Sequence, residues 1–455
     1  MIVASMRRSA LWIISVVAIL HGAFYVAYLR PEWDTAWSDR EGYVRLGAAL
    51  AETGRFTRYP DAPVFVPEVI RTPGYPAFIA VFYRLFGVGN DVAVAAGQVL
   101  IFPLLCWLVY AIVRRVAHER AAIAAAALTA VFSPLAHFAG LILTEFWTTV
   151  VLTAAMLVSL HAVQQQRSRD FVLAGVLLSA TTLVRPAFVL LPFFLAIGMP
   201  LLVRSERSPR ALRGWTLLAV AAAFTLVPWF TYNYVYLGRF VLSPAGGVGR
   251  GMWEGAWQGR WPGRVQAELT EAATVAASDA ALDERVRSIS TDTGFAEPLM
   301  REYVHEWRDI HAVWDTPTDP AERARARVLA DQFYLEAALR HIREDPVGHA
   351  RRRVTRGLFQ LWAADVPIRY SQINQIPPMV IRAIWLVQVL LLLAAAGGLF
   401  VLVRRGQWRD AVLLALPLIY VTGVHLPLLC EARQSLPVKP LVLALAAIAV
   451  YRRLP

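Results

Sequence analysis

The stretch that decides the fold is "SALWIISVVAILHGAFYVAYLR", Ser9 to Arg30. Crossing a bilayer takes about 20 apolar residues as a helix, and this run is long enough. Arg7 and Arg8 precede it, and the polar "PEWDTAWSDREGYVRLGAALAETGRFT", Pro31 to Thr57, follows. No small-residue cleavage site ends the run, so it reads as an uncleaved signal-anchor. The chain then leaves the bilayer and places an acid, Asp39, four residues before Tyr43 on a segment close to the lipid.

The rest of the chain repeats the pattern. Its 455 residues are 57% hydrophobic, above the ~45–50% of soluble domains. Further apolar runs lie at roughly 91–113, 120–139, 141–163, 170–184, 186–203, 213–232, 379–403, 410–429 and 436–451. The expectation is an all-α polytopic membrane protein of about ten transmembrane helices. Residues 1–232 would form a catalytic module of seven spans, 233–378 a mainly helical extracytoplasmic region, and 379–455 a module of three spans. The net charge of +12 is carried by arginine, with Lys439 the single lysine. Arginines gather at 7–8, 114–120, 167–169, 204–213, 404–409 and 452–453, which are both termini and every second loop. The positive-inside rule puts these in the cytoplasm and the remaining loops outside. No basic patch interleaved with aromatics argues for nucleic acid. Cys106 and Cys430 both sit in apolar runs and make no disulfide framework or metal motif.

The outer loops carry the chemistry. Residues 31–90 are too polar to span, yet "YPAFIAVFYRLFGV", Tyr75 to Val88, is an apolar-aromatic helix suited to the interface. Ionisable residues near membrane depth are functional candidates by default. Here they are Asp34, Asp39, Arg71, Glu145, Arg185, His425, Glu431, Arg433 and Lys439, all placed by topology at one face. Asp39 falls in the first turn of a short helix, where an acid is favourable for the helix alone. Arg71 precedes "TPGYP", a stiff turn expected to be non-helical. Arginine stays charged and grips phosphate bidentately, which suits a lipid-phosphate ligand. Trp253, Trp257 and Trp261 recur at spacing four, fitting either sugar stacking or an interfacial belt. In 319–354, an amphipathic helix, a break at Pro346 and a second helix are expected.

In order along the chain come the acid-x3-tyrosine segment at Asp39 and Tyr43, "RTPGYPAFIA" (71–80), "LTEFW" (143–147) and "LVRP" (183–186). "VPWFTYNYVYLGRFVLSP" (227–244), "ALRHIREDP" (338–346) and "RQSLPVKP" (433–440) follow. This series resembles the bacterial polyprenyl-phosphate-dependent membrane glycosyltransferases of the GT-C class. The nearest group is glycosyltransferase family 39, with its protein O-mannosyltransferases and lipid A aminoarabinose transferases. The resemblance implies GT-C architecture; with guanidiniums at the donor phosphate and no His/Cys cluster or paired-acid metal spacing in the sequence, the transfer is expected to be metal-independent. A sugar would pass from a polyprenyl-phosphate donor to a hydroxyl on a glycan, lipid or protein, at the outer face of the cytoplasmic membrane. The resemblance also implies Asp39 as general base, Glu145 as a second catalytic candidate lining the same cavity, and Arg71, Arg433 and, by a weaker match, Arg185 at the donor phosphate; Lys439, entering the last span, is a further candidate cation for that phosphate. Tyr43, Asp34, Tyr75, His425 and Trp253 are candidate sugar or acceptor contacts. Two departures bear on substrate identity. The chain has "WFTYNY" after Pro228 where relatives carry an arginine-asparagine pair, and Gln434 where many have tyrosine. A transporter or flippase for lipid-linked sugars, or a non-catalytic envelope-assembly protein, are the competing readings. The first needs polar residues at the midplane and on both faces.

Overall fold

The computed structural model describes residues 2–33, 38–243 and 245–451. Among them there is no strand, and the chain runs as helices throughout. The first membrane module comprises α1 (Ile2–Leu29), α2 (Ser38–Thr53), α3 (Gly74–Phe86), α4 (Asp91–Val116), α5 (Glu119–Val131), α6 (Ser133–Ala139), α7 (Thr144–Gln165), α8 (Ser168–Val184), α9 (Leu191–Leu202) and α10 (Pro209–Leu237). The more polar region folds as α11 (Val248–Trp257), α12 (Gly263–Val275), α13 (Asp279–Thr293), α14 (Glu297–Asp315), α15 (Pro320–Glu344), α16 (Pro346–Arg352) and α17 (Leu358–Trp362). The chain ends in α18 (Pro378–Arg404), α19 (Trp408–His425), α20 (Ala432–Ser435) and α21 (Lys439–Val450).

Among the described residues, six helical segments are long and apolar enough to cross a membrane, or seven when the pair α5 and α6, bent by 53°, is counted as one span. The other three expected spans are helices too, but shorter: α8, the segment Pro186–Leu202, and α19. Local chemistry sets the ends. Asn90 caps α4 by accepting from the Ala93 amide at 3.2 Å, and Arg114 and Arg115 close its last turn, each favourable to the helix dipole. Pro186 stops α8, as the residue before proline avoids helical geometry.

Packing separates centre from rim. Every residue of α21 from Lys439 to Ile448 is buried, so this helix is the core of the bundle rather than a lipid-facing span. On α18, by contrast, Leu386, Leu390, Leu393 and Phe400 are exposed. Such apolar rows face hydrocarbon, where exposure costs nothing. α8 and α10 are held by a hydrogen bond from Ser179 Oγ to the Ala222 carbonyl at 2.8 Å.

The helices α11 to α15 wrap a core of their own, with Trp253, Trp257, Leu269, Val286, Met300 and Tyr334 buried in it. This corrects the reading of the tryptophans. Trp253 is 1% exposed and stacks on Tyr303 at 5.2 Å; it is neither a sugar platform nor part of a belt. The break at Pro346 falls between α15 and α16, as expected. A buried arginine then ties this region to the membrane bundle. Arg353 donates to the carbonyls of Leu426 and Leu428, each at 2.8 Å, and to Gln258 Oε1 at 2.8 Å. Gln258 in turn donates to the Cys430 carbonyl at 2.8 Å. The planar five-donor fork of arginine serves several fixed carbonyls at once. It thereby locks the 426–430 segment just before Glu431 and Arg433.

Candidate functional site

Five segments converge where α2, the loop before α3, the start of α7, the end of α8 and the start of α20 meet. The loop before α3 is fixed by buried Glu68, whose Oε1 accepts from the amides of Ile70 (2.8 Å) and Arg71 (3.1 Å) and from Arg58 (3.1 Å). Helix α3 starts within the proline-glycine motif, at Gly74, so the stiff turn is shorter than the sequence suggested. Gly74 is required there by close approach. A Cβ on it would lie 2.6 Å from the Leu183 carbonyl oxygen, just ahead of Arg185.

These constraints aim Arg71 at Asp39. Its Nη2 donates to the Asp39 carbonyl at 3.0 Å and sits 3.3 Å from Oδ1. The guanidinium also lies over the Tyr43 ring, 3.9 Å from its centroid, a cation–π contact. Gly42 makes room for it: a Cβ there would stand 2.6 Å from Arg71 Nε. On the other side, Arg433 Nη1 donates to Asp39 Oδ2 at 3.0 Å. Arg433 Nε bonds Glu431 at 2.7 Å, and its Nη1 lies 3.9 Å from Glu145 Oε1. Glu145 is itself 3.0 Å from Arg185. The result is an alternating row, Arg71, Asp39, Arg433, Glu145, Arg185, drawn from five distant parts of the chain.

Electrostatics follow the geometry. Burial opposes the charge on Asp39, but Arg433 and then Arg71 outweigh it, holding the carboxyl at about 2 instead of 3.8. The Asp39 side chain still keeps 44% of its surface open, on a cavity of about 640 Å³. Glu145, 3% exposed, sits behind the arginines instead of facing that space. The cavity is also lined by Arg58, Arg250, Arg327, Glu254 and Asp331, which sequence reasoning passed over. Asp331 accepts the Arg250 amide at 3.1 Å and so steadies the start of α11. Counting side chains on the wall, five arginines face four acids, a balance that favours an anionic ligand.

Other expected site residues lie off the cavity wall. Lys439 is buried away from the row and donates to the Trp362 carbonyl (2.6 Å) and Gln388 Oε1 (3.3 Å); it ties α21 to α17 and α18. His425 is buried with Nδ1 on the Val421 carbonyl at 2.9 Å. Tyr75 is fully buried, donating to Gln98 at 3.1 Å, and packs edge-on to Tyr43 at 5.3 Å. Asp34 lies outside the described residues.

Comparison with known proteins agrees with this architecture. Residues 70–232 match the family described as dolichyl-phosphate-mannose-protein mannosyltransferase. No curated sequence matches the chain. Among solved structures, it superposes on the apo oligosaccharyltransferase of Archaeoglobus fulgidus, with 14% identity and a TM-score of 0.54, over 98% of this chain and 50% of that one. AglB from the same organism, in complex with an inhibitory peptide and a dolichol-phosphate, gives 15% identity and a TM-score of 0.52, over 98% and 50%. ArnT from Cupriavidus metallidurans bound to undecaprenyl phosphate superposes more loosely, with 15% identity and a TM-score of 0.39, over 98% and 77%. The chain spans about half the length of the oligosaccharyltransferases it matches. The resemblance drawn from the ordered motifs therefore holds: the chain has the fold of the GT-C membrane glycosyltransferases, and its residues 70–232 match their mannosyltransferase family.

Proposed function

We propose that this protein transfers a sugar from a polyprenyl-phosphate donor to a hydroxyl acceptor at the outer face of the cytoplasmic membrane, both termini lying inside. The observation that carries this reading is Asp39 bridged between Arg71 and Arg433 at the wall of an open, arginine-rich cavity. The donor phosphate would take over those two guanidiniums, as bidentate ligands of a phosphate. Losing its partners, the Asp39 carboxyl would climb from about 2 toward the ordinary carboxylate range. Donor binding would thus convert a neutralised acid into a competent base. Asp39 would take the acceptor's proton as its oxygen attacks the anomeric carbon. The arginines would stabilise the charge gathering on the leaving phosphate. Glu145 would position Arg433 and Arg185 from behind. A single displacement of this kind inverts the anomeric centre. The likeness to AglB, whose structure contains a dolichol-phosphate, supports a lipid-linked donor.

We further propose that the transfer step is metal-independent. Asp39, Glu145 and Glu431 each face a guanidinium within 4 Å, so positive charge is already present where a cation would act. The test is transfer by purified protein in proteoliposomes, with a synthetic polyprenyl-phosphate sugar series and the product's anomeric configuration read by NMR. Activity persisting in EDTA with an inverted product is expected. Activity abolished by EDTA and restored by Mg²⁺ or Mn²⁺ would contradict the metal-free step.

A further inference from the structure

A second group of ligating side chains lies in the helical region, none of it on the cavity wall. His341 and Glu344, one turn apart near the end of α15, face Glu302 on α14. The Nδ1 atom of His341 and one carboxylate oxygen from each glutamate all lie within 4.8 Å of one another. His341 is 1% exposed, and its Nδ1 has no hydrogen-bond partner. That nitrogen stands 3.7 Å from Glu302 Oε1 and 3.6 Å from Glu344 Oε2, so an orphaned buried nitrogen points between two partly exposed carboxylates.

The opposite ring nitrogen is already engaged. His341 Nε2 lies 2.9 Å from Glu306 Oε2. Glu306 is held in turn by the indole N–H of Trp253 and by Arg340. In the tautomer in which Nε2 donates to this carboxylate, Nδ1 presents its lone pair toward Glu302 and Glu344. A carboxylate that fixes the far nitrogen of a ligating histidine is the usual support for a metal-bound imidazole. Zinc takes nitrogen at ~2.0–2.1 Å and carboxylate oxygen at ~2.0–2.2 Å, which places tetrahedral ligands ~3.4 Å apart. Each glutamate oxygen stands only a few tenths of an ångström beyond that spacing from Nδ1, and the two carboxylate oxygens, within 4.8 Å of each other, must draw together as well.

We propose that His341, Glu302 and Glu344 form a zinc-class divalent cation site that clamps α14 to α15. One imidazole and two carboxylates suit Zn²⁺, with water at the fourth position. The clamp stands apart from sugar transfer. Its reach to the cavity is mechanical: Trp257 packs edge-on to His341 at 4.6 Å, and the same helix carries Arg250 and Glu254 on the cavity wall.

The test uses the full chain in detergent or nanodiscs, stripped with EDTA and titrated with Zn²⁺ alone, read by metal analysis and thermal unfolding. Wild type is expected to retain one Zn²⁺ per chain and to unfold at a midpoint higher by roughly 5 °C at saturating metal. Glu302→Gln/Glu344→Gln alters two partly exposed side chains, so its fold should persist. It is expected to lose affinity by more than about a hundredfold, with no thermal response. Wild type that retains no Zn²⁺, or a double variant that binds it as tightly, would overturn the site.

Discussion

Replacing Asp39 by asparagine separates binding from chemistry. In the free protein the carboxylate occupies the two guanidiniums that the proposed donor phosphate would take over. Their pull acts on the carboxyl itself, holding it at about 2 instead of 3.8 against the cost of burial. That corresponds to about 2.5 kcal/mol in favour of the paired form. With 44% of the side chain open to water, screening removes roughly half or more, leaving about 1 kcal/mol. Asp39→Asn should therefore bind polyprenyl phosphate about fivefold more tightly than wild type, since 1.4 kcal/mol is tenfold. Turnover should fall by about 10²–10⁴, the usual contribution of a general base. The assay pairs a titration of undecaprenyl phosphate into nanodisc-embedded protein with initial rates of transfer. Weaker lipid-phosphate binding in the variant would refute competition for Arg71 and Arg433. Turnover within threefold of wild type would refute Asp39 as the base.

Three further outcomes follow from the same geometry. The Asp39 pairs contribute stability above pH 3.8 and lose it only as pH falls through about 2; kcat/KM should show no acid limb from Asp39 between pH 5 and 8, and a limb near 6 would point to another group as the base. Gly42→Ala should push the Arg71 guanidinium off Asp39 and weaken polyprenyl-phosphate binding about tenfold. Because alanine favours α2 by ~0.5–1 kcal/mol, thermal unfolding should not fall, and a matching loss of stability would mean a folding defect instead. Glu145→Gln strips Arg185 of a buried charged partner at 3.0 Å and should cost about 3 kcal/mol in unfolding experiments. Adding Arg185→Gln should restore much of it, and equal destabilisation in the single and double variants would contradict the pairing.

How much of this was legible in the sequence depends on what each residue type can encode. Apolar length and the arginine loops reveal that a segment spans, so the helices at the expected spans could be read directly. They cannot reveal which helix is central, because a run like α21 is equally apolar whether it faces lipid or protein. Depth was legible for Asp39, Arg71, Glu145, Arg185 and Arg433, and the fold brings these five together. Lys439 and His425 share that depth but point into helix contacts; topology fixes height in the membrane, not direction around an axis. Trp253 failed for a related reason, since spacing four satisfies a buried helix face as well as a sugar platform. Arg250 and Arg327 read as solvated charges on polar helices, and only the tertiary folding of α11 and α15 over the cavity gives them a role. Arg250 did carry a signal: it stands in the glycine-rich "AGGVGRG", beside the tryptophans.

The central claim is that the row around Asp39 moves a sugar off a polyprenyl phosphate. Its most direct test is mass spectrometry of lipid-linked sugars and envelope glycans from the source organism lacking this protein, complemented with wild type or Asp39→Asn at equal membrane levels. The account predicts that the deletion and the Asp39→Asn strain accumulate the same polyprenyl-phosphate sugar and lack the same sugar increment on the acceptor, both corrected by wild type. Full complementation by Asp39→Asn, or a deletion with unchanged lipid-linked sugars and glycans, would contradict it.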